Sequence, residues 1–270
     1  MTTTDKIQLT EEKETLFIPL YGKALDYHSK KSLLNDRTAS DIVDKVGIDF
    51  TKHKRFGSEV SAVRAKQYDE WTKDFIAKNE NAVVVHLGCG LDARIARTQP
   101  PSSITWFDVD YPEVISLRKQ FYSETNEYKM IASSITAAQN WFETIPDDRP
   151  ALIIAEGVFE YLSEEEVKTL LYRLTDYFFR GQIAFDIMSS SGVEERKEKL
   201  EKTTGAVNKW GVDDVSEVDK LNAKLKRIEV IPLLKSVFMK ELPFGLRFIF
   251  GLLTCSKKYK NAMRLLRYDF

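Results

Sequence analysis

Cysteine and histidine are scarce in this chain of 270 residues, and their scarcity bears on two kinds of structure. The two cysteines, Cys89 and Cys255, are too few for a disulfide framework and are typical of a reducing compartment. The three histidines lack the spacing of a metal-binding motif. The composition therefore predicts neither a disulfide-linked domain nor a metal centre.

An excess of charge of one sign is also missing, because 40 Lys and Arg residues face 41 Asp and Glu residues. The net charge of −1 gives no reason to expect a nucleic-acid partner. The longest apolar stretch, from Leu242 to Cys255, contains Arg247 and is too short to span a bilayer. The first residues carry no apolar signal-peptide core. We therefore expect a soluble cytoplasmic protein without a membrane partner. The sequence does not indicate its oligomeric state.

The order of the predicted elements indicates an α/β fold. Residues 1–80 have a helical pattern, and the first strand is expected only at 83–87. Further strands are expected at 104–110, 128–132, 151–155 and 182–187, and helices at about 92–98, 112–124, 136–143 and 163–179. Such alternation predicts a doubly wound parallel sheet, whose ligands bind at the carboxyl ends of the strands.

The remainder of the chain is expected to complete the same domain. Residues 194–202 form a highly charged helical segment, which is either a solvated face or part of a lid at 191–225. The final part predicts a strand near 226–231, a helix near 245–253 and a closing strand near 262–269. We expect a single domain over 1–270, composed of a helical cap (1–80), a cofactor-binding core (81–190), the possible lid, and C-terminal strands and helix (226–270).

The most informative segment is a β-branched run that ends in a glycine turn. Val83–Leu87 is followed by Gly88 and Gly90, which let a ligand approach the backbone, and by a helix start with unpaired N–H groups. The pattern Gly88-x-Gly90-x-x-Ala93, with Asp108 about 20 residues on, fits a dinucleotide-binding fingerprint. Enzymes that use S-adenosylmethionine (SAM) have the same strand–turn–helix. A tight turn without a ligand is a third interpretation.

Three motifs in order decide which of these the chain resembles. They are Leu87-Gly-Cys-Gly-Leu-Asp-Ala-Arg94, Trp106-Phe-Asp-Val-Asp-Tyr-Pro-Glu-Val-Ile115 and Ala155-Glu-Gly-Val-Phe-Glu-Tyr-Leu162. Together they resemble the leucine carboxyl methyltransferase family, which includes bacterial O-methyltransferases of polyketide type. The resemblance implies a Rossmann-like (class I) SAM-dependent fold, with a mostly parallel seven-stranded sheet, an antiparallel last strand and a helical N-terminal region.

The resemblance also implies a set of SAM-binding residues. Arg64 matches the arginine that pairs with the methionine carboxylate of SAM, and Lys23 matches a basic residue with a similar role. Gly88 and Gly90 would let the backbone approach the methionine and ribose. Asp110 is the better candidate for the ribose hydroxyls, and Asp108 is the reserve.

Two further motifs contribute residues by the same resemblance. Glu156 matches a glutamate that faces SAM, and Tyr161 is a candidate for the methyl-transfer pocket. Many relatives carry an aspartate for the adenine amino group after the third strand. This chain has Ser134 and Ile135 there, which are weaker candidates for contact with the adenine.

The acceptor is expected to be a small molecule with a carboxylate or hydroxyl oxygen. A phenol would benefit from a general base, and the histidines are poor candidates: His86 lies within a strand, and nothing singles out His28 or His53. This favours a carboxylate, which needs no base. Cys89 is expected to pack rather than react. Two alternatives stay open, a nicotinamide-dependent oxidoreductase and a non-catalytic SAM-binding partner protein.

Overall fold

A computed structural model describes residues 11–46 and 59–270 of the chain. At its centre lies a seven-stranded sheet in the order β3-β2-β1-β4-β5-β7-β6. The strands are β1 (Val83–Leu87), β2 (Thr105–Asp110), β3 (Tyr128–Ala132), β4 (Ala151–Ala155), β5 (Gly181–Met188), β6 (Lys226–Pro232) and β7 (Met263–Asp269). Strands β1 to β5 pair in parallel, and β7 lies antiparallel between β5 and β6. The predicted doubly wound sheet with an antiparallel last strand is confirmed.

The helices surround this sheet. They are α1 (Phe17–Tyr27), α2 (Arg37–Val46), α3 (Val60–Lys78), α4 (Arg94–Thr98), α5 (Pro112–Arg118), α6 (Glu164–Tyr177), α7 (Ser190–Thr204), α8 (Val215–Asp219), α9 (Phe244–Leu253) and α10 (Lys257–Lys260). Short 3₁₀ helices cover Glu11–Leu16, Phe159–Tyr161, Leu233–Lys235 and Val237–Glu241. The part of the expected helical cap at 1–10 and 47–58, with His53, lies outside the described residues.

The central strands are buried on both faces because helices cover the sheet on two sides. Val83, Val85 and Leu87 of β1 pack in the cluster that includes α6, whereas Val84 packs with the α3 residues Tyr68 and Trp71. Side chains alternate across a strand, so an uninterrupted apolar run supplies both faces. The β-branched run is thus explained by its place in the sheet.

The start of α6 follows its sequence signal. The Ser163 hydroxyl accepts a hydrogen bond from the Glu166 N–H (3.3 Å), and the Glu166 carboxylate accepts one from the Ser163 N–H (2.7 Å). This reciprocal pair satisfies two N–H groups that the first helical turn would otherwise leave open. Pro112 is likewise the first residue of α5, where its missing N–H costs nothing.

The predicted helix at 136–143 is wrong, because these residues form turns. Side chains compete there for the backbone: the Ser134 hydroxyl accepts from the Thr136 N–H, and the Trp141 indole N–H donates to the Ile135 carbonyl. Arg173 on α6 donates to the Ala137 carbonyl at 2.7 Å. Such side-chain bonds offer the backbone an alternative to helical hydrogen bonds.

The last part of the chain follows the sequence expectation more closely. The strand near 226–231, the helix near 245–253 and the closing strand near 262–269 correspond to β6, α9 and β7. The charged segment 194–202 lies within α7. Among residues 11–46 and 59–270, every helix falls short of the length and apolarity that crossing a membrane requires.

Candidate active site

A cavity of about 620 Å³ opens where the parallel strands end. In the sheet register, Leu87 lies beside Val109 on one side and Ala155 on the other, and Asp110 lies beside Ala132. The residues that follow these strands therefore meet at one edge, where open α/β sheets bind ligands. The cavity lining includes these residues that the sequence predicted: Lys23, Arg64, Gly88, Gly90, Asp110, Ser134, Ile135, Glu156 and Tyr161.

The glycine turn after β1 has a backbone that other residues rarely adopt. Gly88 and Gly90 have φ angles of +57° and +51°. A Cβ atom on Gly88 would lie 2.5 Å from Cγ2 of Val158, too close for a real contact. The Gly90 N–H donates to Oδ2 of Asp110 at 2.8 Å. Both glycines are thus required by backbone conformation, and Gly88 also by close packing.

Asp110 stands at the end of β2 with its carboxylate at the turn. Its two oxygens accept the N–H groups of Gly90 and Tyr111, each at 2.8 Å. Burial disfavours the charged form and raises the pKa of Asp110 to about 6, although these two hydrogen bonds act in the opposite direction. The carboxylate keeps unused lone pairs, so it is able to accept further hydrogen bonds from a ligand.

Asp108, the reserve candidate for the ribose, is placed elsewhere. It is fully buried and accepts hydrogen bonds from Arg118 (2.5 Å), Tyr128 (2.6 Å) and Trp106 (2.8 Å). Burial opposes its charge, but the Arg118 cation prevails and lowers the pKa of Asp108 to about 2. Its side chain is therefore part of a polar network under the sheet edge and is absent from the cavity lining.

Glu156, directly after β4, is held by the buried Arg94 and the partly buried Arg64. Arg64 donates from Nε at 3.0 Å, and Arg94 donates to the other carboxylate oxygen. Burial opposes the charge of Glu156, yet the nearby cations of Lys23, Arg64 and Arg94 lower its pKa to about 2. Glu156 therefore stays ionised at the cavity wall over the physiological pH range.

Arg64 is fixed by a second acid that the sequence reasoning missed. Its Nη1 donates to Asp186 on β5 at 3.0 Å, and Asp186 also accepts the Gly157 N–H (2.7 Å) and the Tyr68 hydroxyl (3.2 Å). Gly157 has φ +68°, and a Cβ there would lie 3.1 Å from the Arg64 guanidinium. The signal in the sequence was a lone acid inside the apolar strand β5.

Lys23 also belongs to this polar cluster, which we call the buried ion network. Its Nζ lies 2.7 Å from Asp92, a residue just past the glycine turn. Asp92 in turn pairs with Arg94 and Arg97. The members of the network are the cations Lys23, Arg64, Arg94 and Arg97 and the anions Asp36, Asp69, Asp92, Glu156 and Asp186. The anions therefore exceed the cations by one.

Neither of the two histidines within residues 11–46 and 59–270 is placed as a free general base. The imidazole of His86 is 2% exposed, and burial lowers its pKa. Its Nδ1 lies 3.5 Å from Asp108, too far for a good hydrogen bond. His28 bonds to the Ser40 hydroxyl, away from the cavity lining, and His53 is not described. Burial also raises the pKa values of the Tyr161 hydroxyl and the Cys89 thiol, so both stay protonated.

Another part of the cavity lining comes from late in the chain. Leu233, Leu234, Phe250, Tyr259 and Met263 contribute a mostly apolar wall. Helix α7 adds Arg196, which pairs with Glu160 at 3.3 Å. The charged helix α7 thus sends one residue to the cavity and also buries Val193 and Leu200.

The sheet order, the antiparallel β7 and the glycine turn at the cavity define a Rossmann-like α/β fold. In agreement, a putative methyltransferase from Thermobifida fusca YX has a similar fold, with a TM-score of 0.60 and 14% identity. The similarity covers 96% of this chain and 94% of that chain.

The sequence comparisons are more specific than the fold. Residues 17–175 match the model of the leucine carboxyl methyltransferase family, and the chain belongs to this family. Over 98% of its length it is 33% identical to the tetracenomycin polyketide synthesis O-methyltransferase TcmP of Streptomyces glaucescens, of which 99% is covered. It is 30% identical to the SAM-dependent methyltransferase dpfgK of Gibberella zeae, over 79% of this chain and 80% of that one.

The chain is therefore a SAM-dependent methyltransferase, as the three motifs indicated. This decides between the two cofactors that the glycine spacing allowed, in favour of SAM. The cavity fits such a ligand: about 620 Å³ lies within the range of small-molecule sites. Gly88 and Gly90 line it at the turn after β1, and Asp110 offers carboxylate acceptors beside them.

Proposed function

We propose that the protein is an O-methyltransferase that transfers the methyl group of SAM to a small-molecule carboxylate, with a hydroxyl acceptor as the second candidate. The observation that carries the choice is the state of the proton-accepting groups at the cavity other than Asp110, which is assigned below to the ribose of SAM. His86 is buried and Tyr161 is kept protonated. Glu156 is held by two arginines. A carboxylate oxygen is already ionised and needs none of them.

Cofactor binding is proposed at the glycine turn and the buried ion network. Asp110 would accept the ribose hydroxyls, while Ser134 and Ile135 would border the adenine. Arg64 uses Nε for Glu156 and Nη1 for Asp186, which leaves Nη2 for the methionine carboxylate. Lys23 would add a second cation beside it. Glu156 would face the methionine ammonium.

The charge balance of the buried ion network supports this assignment. SAM carries a sulfonium cation besides its ammonium and carboxylate, so it brings one net positive charge. The network holds five anions and four cations. One excess buried anion favours a cationic ligand over a neutral one, because charges interact strongly where water is excluded.

The protein's part in the transfer is positioning and exclusion of water. When bound, SAM supplies an electrophilic methyl group on sulfur. The apolar wall of Leu233, Leu234, Phe250, Tyr259 and Met263 is proposed to bind the body of the acceptor, while Tyr161 would border the transfer site. Arg196 is the cation at this wall that would orient an acceptor carboxylate.

The test is a screen of small carboxylic acids and matched phenols with SAM whose methyl group carries ¹³C. NMR separates methyl esters from methyl ethers, so it identifies the acceptor oxygen. With a carboxylate acceptor and a saturating concentration of SAM, the rate is expected to be flat above the acceptor's own pKa. Ether formation with a rate that rises toward a phenol pKa of about 10 would overturn the carboxylate proposal and favour the hydroxyl candidate.

A further inference from the structure

Within residues 11–46 and 59–270, the exposed large apolar side chains are concentrated in one segment. Most large apolar residues are buried, but α9 exposes Phe244 by 78%, Phe248 by 60% and Leu252 by 58%. These residues are spaced four apart, so they form one stripe on the helix surface. The opposite face of α9 packs against the core through Phe250 and its neighbours. Exposed apolar stripes of this kind mark surfaces that bind something.

Positive charge is concentrated in the same segment, residues 232–262, which we call the basic apolar segment. It contains Lys235, Lys240, Arg247, Lys257, Lys258 and Lys260, but Glu241 is its only acidic residue. The whole chain, by contrast, has a net charge of −1. Of these six cations, only Lys258 has an ion-pair partner within residues 11–46 and 59–270, namely Glu195. The segment therefore presents open positive charge next to the apolar stripe.

A phospholipid surface with anionic headgroups matches both properties. Phenylalanine and leucine side chains enter the boundary between headgroups and acyl chains, while lysine and arginine contact the anionic headgroups. An acidic protein would match the charge, but it would need its own apolar groove for the stripe. The stripe lies on a convex helix surface, which suits a soft and flat partner.

The basic apolar segment also forms part of the cavity wall, which links this surface to the active site. Leu233, Leu234, Phe250, Tyr259 and Ala262 of the segment line the cavity. Residues of α9 thus face the lipid side and the cavity side at once. Contact with a membrane surface would place the cavity wall next to a phase in which apolar compounds accumulate.

We propose that the basic apolar segment docks the enzyme on the surface of an anionic phospholipid membrane, without spanning it. This differs from the expectation from the sequence that the protein has no membrane partner, which considered only spanning segments and overall charge. The proposal concerns the outer surface and holds for either acceptor oxygen.

The test is co-sedimentation of the full chain with vesicles of phosphatidylcholine alone or mixed with phosphatidylserine. Wild-type protein is expected to bind the mixed vesicles and to be released by salt. Phe248→Ser should weaken binding by roughly tenfold or more, because one aromatic side chain no longer enters the boundary. Phe179→Ser is the matched control, since Phe179 is 59% exposed but lies outside the segment. It should bind like wild type.

A charge variant completes the experiment. Lys257→Gln should weaken binding roughly fivefold, whereas Lys226→Gln, outside the segment, should have little effect. Failure of wild-type protein to bind mixed vesicles would overturn the proposal, and an acidic protein would then become the better partner. Vesicle binding that depends on Lys257 but not on Phe248 would also overturn the proposal. A protein dimer without vesicles that dissociates on Phe248→Ser would instead assign the stripe to a contact between two copies.

Discussion

The raised pKa of Asp110 gives a prediction in which stability and cofactor affinity change in opposite directions with pH. The carboxyl has a pKa of about 6 in the folded protein and 3.8 as its ordinary value. Between these two values the folded state holds a proton that the unfolded state releases. The free energy of unfolding therefore rises as pH falls from about 7 to 3, by about 3 kcal/mol from this group.

Cofactor affinity should follow the opposite course. The proposed ribose acceptor is the ionised form of Asp110, so protonation removes it. For a group with a pKa of about 6, the affinity for S-adenosylhomocysteine should fall about tenfold between pH 7 and pH 5. Glu156 and Asp108, with pKa values of about 2, stay ionised throughout this range.

Isothermal titration calorimetry and urea unfolding at several pH values measure the two effects. Asp110→Asn is the comparison, because it removes the titration and leaves every other ionisable group. The variant should bind more weakly than wild type at pH 7 and show little further loss at pH 5. If wild-type stability shows the Asp110 titration but affinity stays constant, the ribose assignment is refuted. If the pH dependence of unfolding matches that of the variant, the pKa argument itself fails.

Three further outcomes are expected from single substitutions. Glu156→Gln removes the anion that Arg64 and Arg94 share. The free energy of unfolding, measured with urea, should therefore fall by roughly 3–5 kcal/mol. An unchanged unfolding midpoint would contradict the role of Glu156 in the buried ion network. Gly88→Ala should lower the free energy of unfolding by about 1–3 kcal/mol, because φ is positive there and the new Cβ would contact Val158. Adding Val158→Ala should restore only the part of this loss that comes from the steric contact. Ser163→Ala should lower the free energy of unfolding by about 1 kcal/mol through loss of the capping box. The affinity for S-adenosylhomocysteine should not change, because Ser163 lies outside the cavity lining. A marked loss of affinity would mean that the start of α6 shapes the site.

Local patterns sufficed for the strands and for the glycine turn. The β-branched run at 83–87 needs burial on two faces, and a parallel sheet provides this whichever helices cover it. The capping box at Ser163 is a contact between neighbours in sequence. The helix predicted at 136–143 is wrong because side chains of the turn, such as those of Ser134 and Trp141, form hydrogen bonds with its backbone groups.

Pairings between distant parts of the chain were beyond the sequence. Arg64 meets Glu156 and Asp186 across 92 and 122 residues, and no local signal fixes those partners. Asp108 and Asp110 are two residues apart on one strand, yet only Asp110 reaches the cavity. The difference lies in Arg118 and Tyr128, which hold Asp108 from α5 and β3. The sequence indicated which residues belong to the site, but it did not indicate which acid pairs with each arginine.

The insertion of β7 between β5 and β6 determines the order in which the protein can be completed during synthesis. The chain up to residue 188 already includes β1 to β5 together with the glycine turn, Asp110 and Glu156. Strand β6, however, pairs only with β7, which is made after the whole basic apolar segment. The proposed cofactor-binding residues of β1 to β5 are thus synthesised before the proposed acceptor wall, whose two ends join the sheet only when residues 263–269 are present.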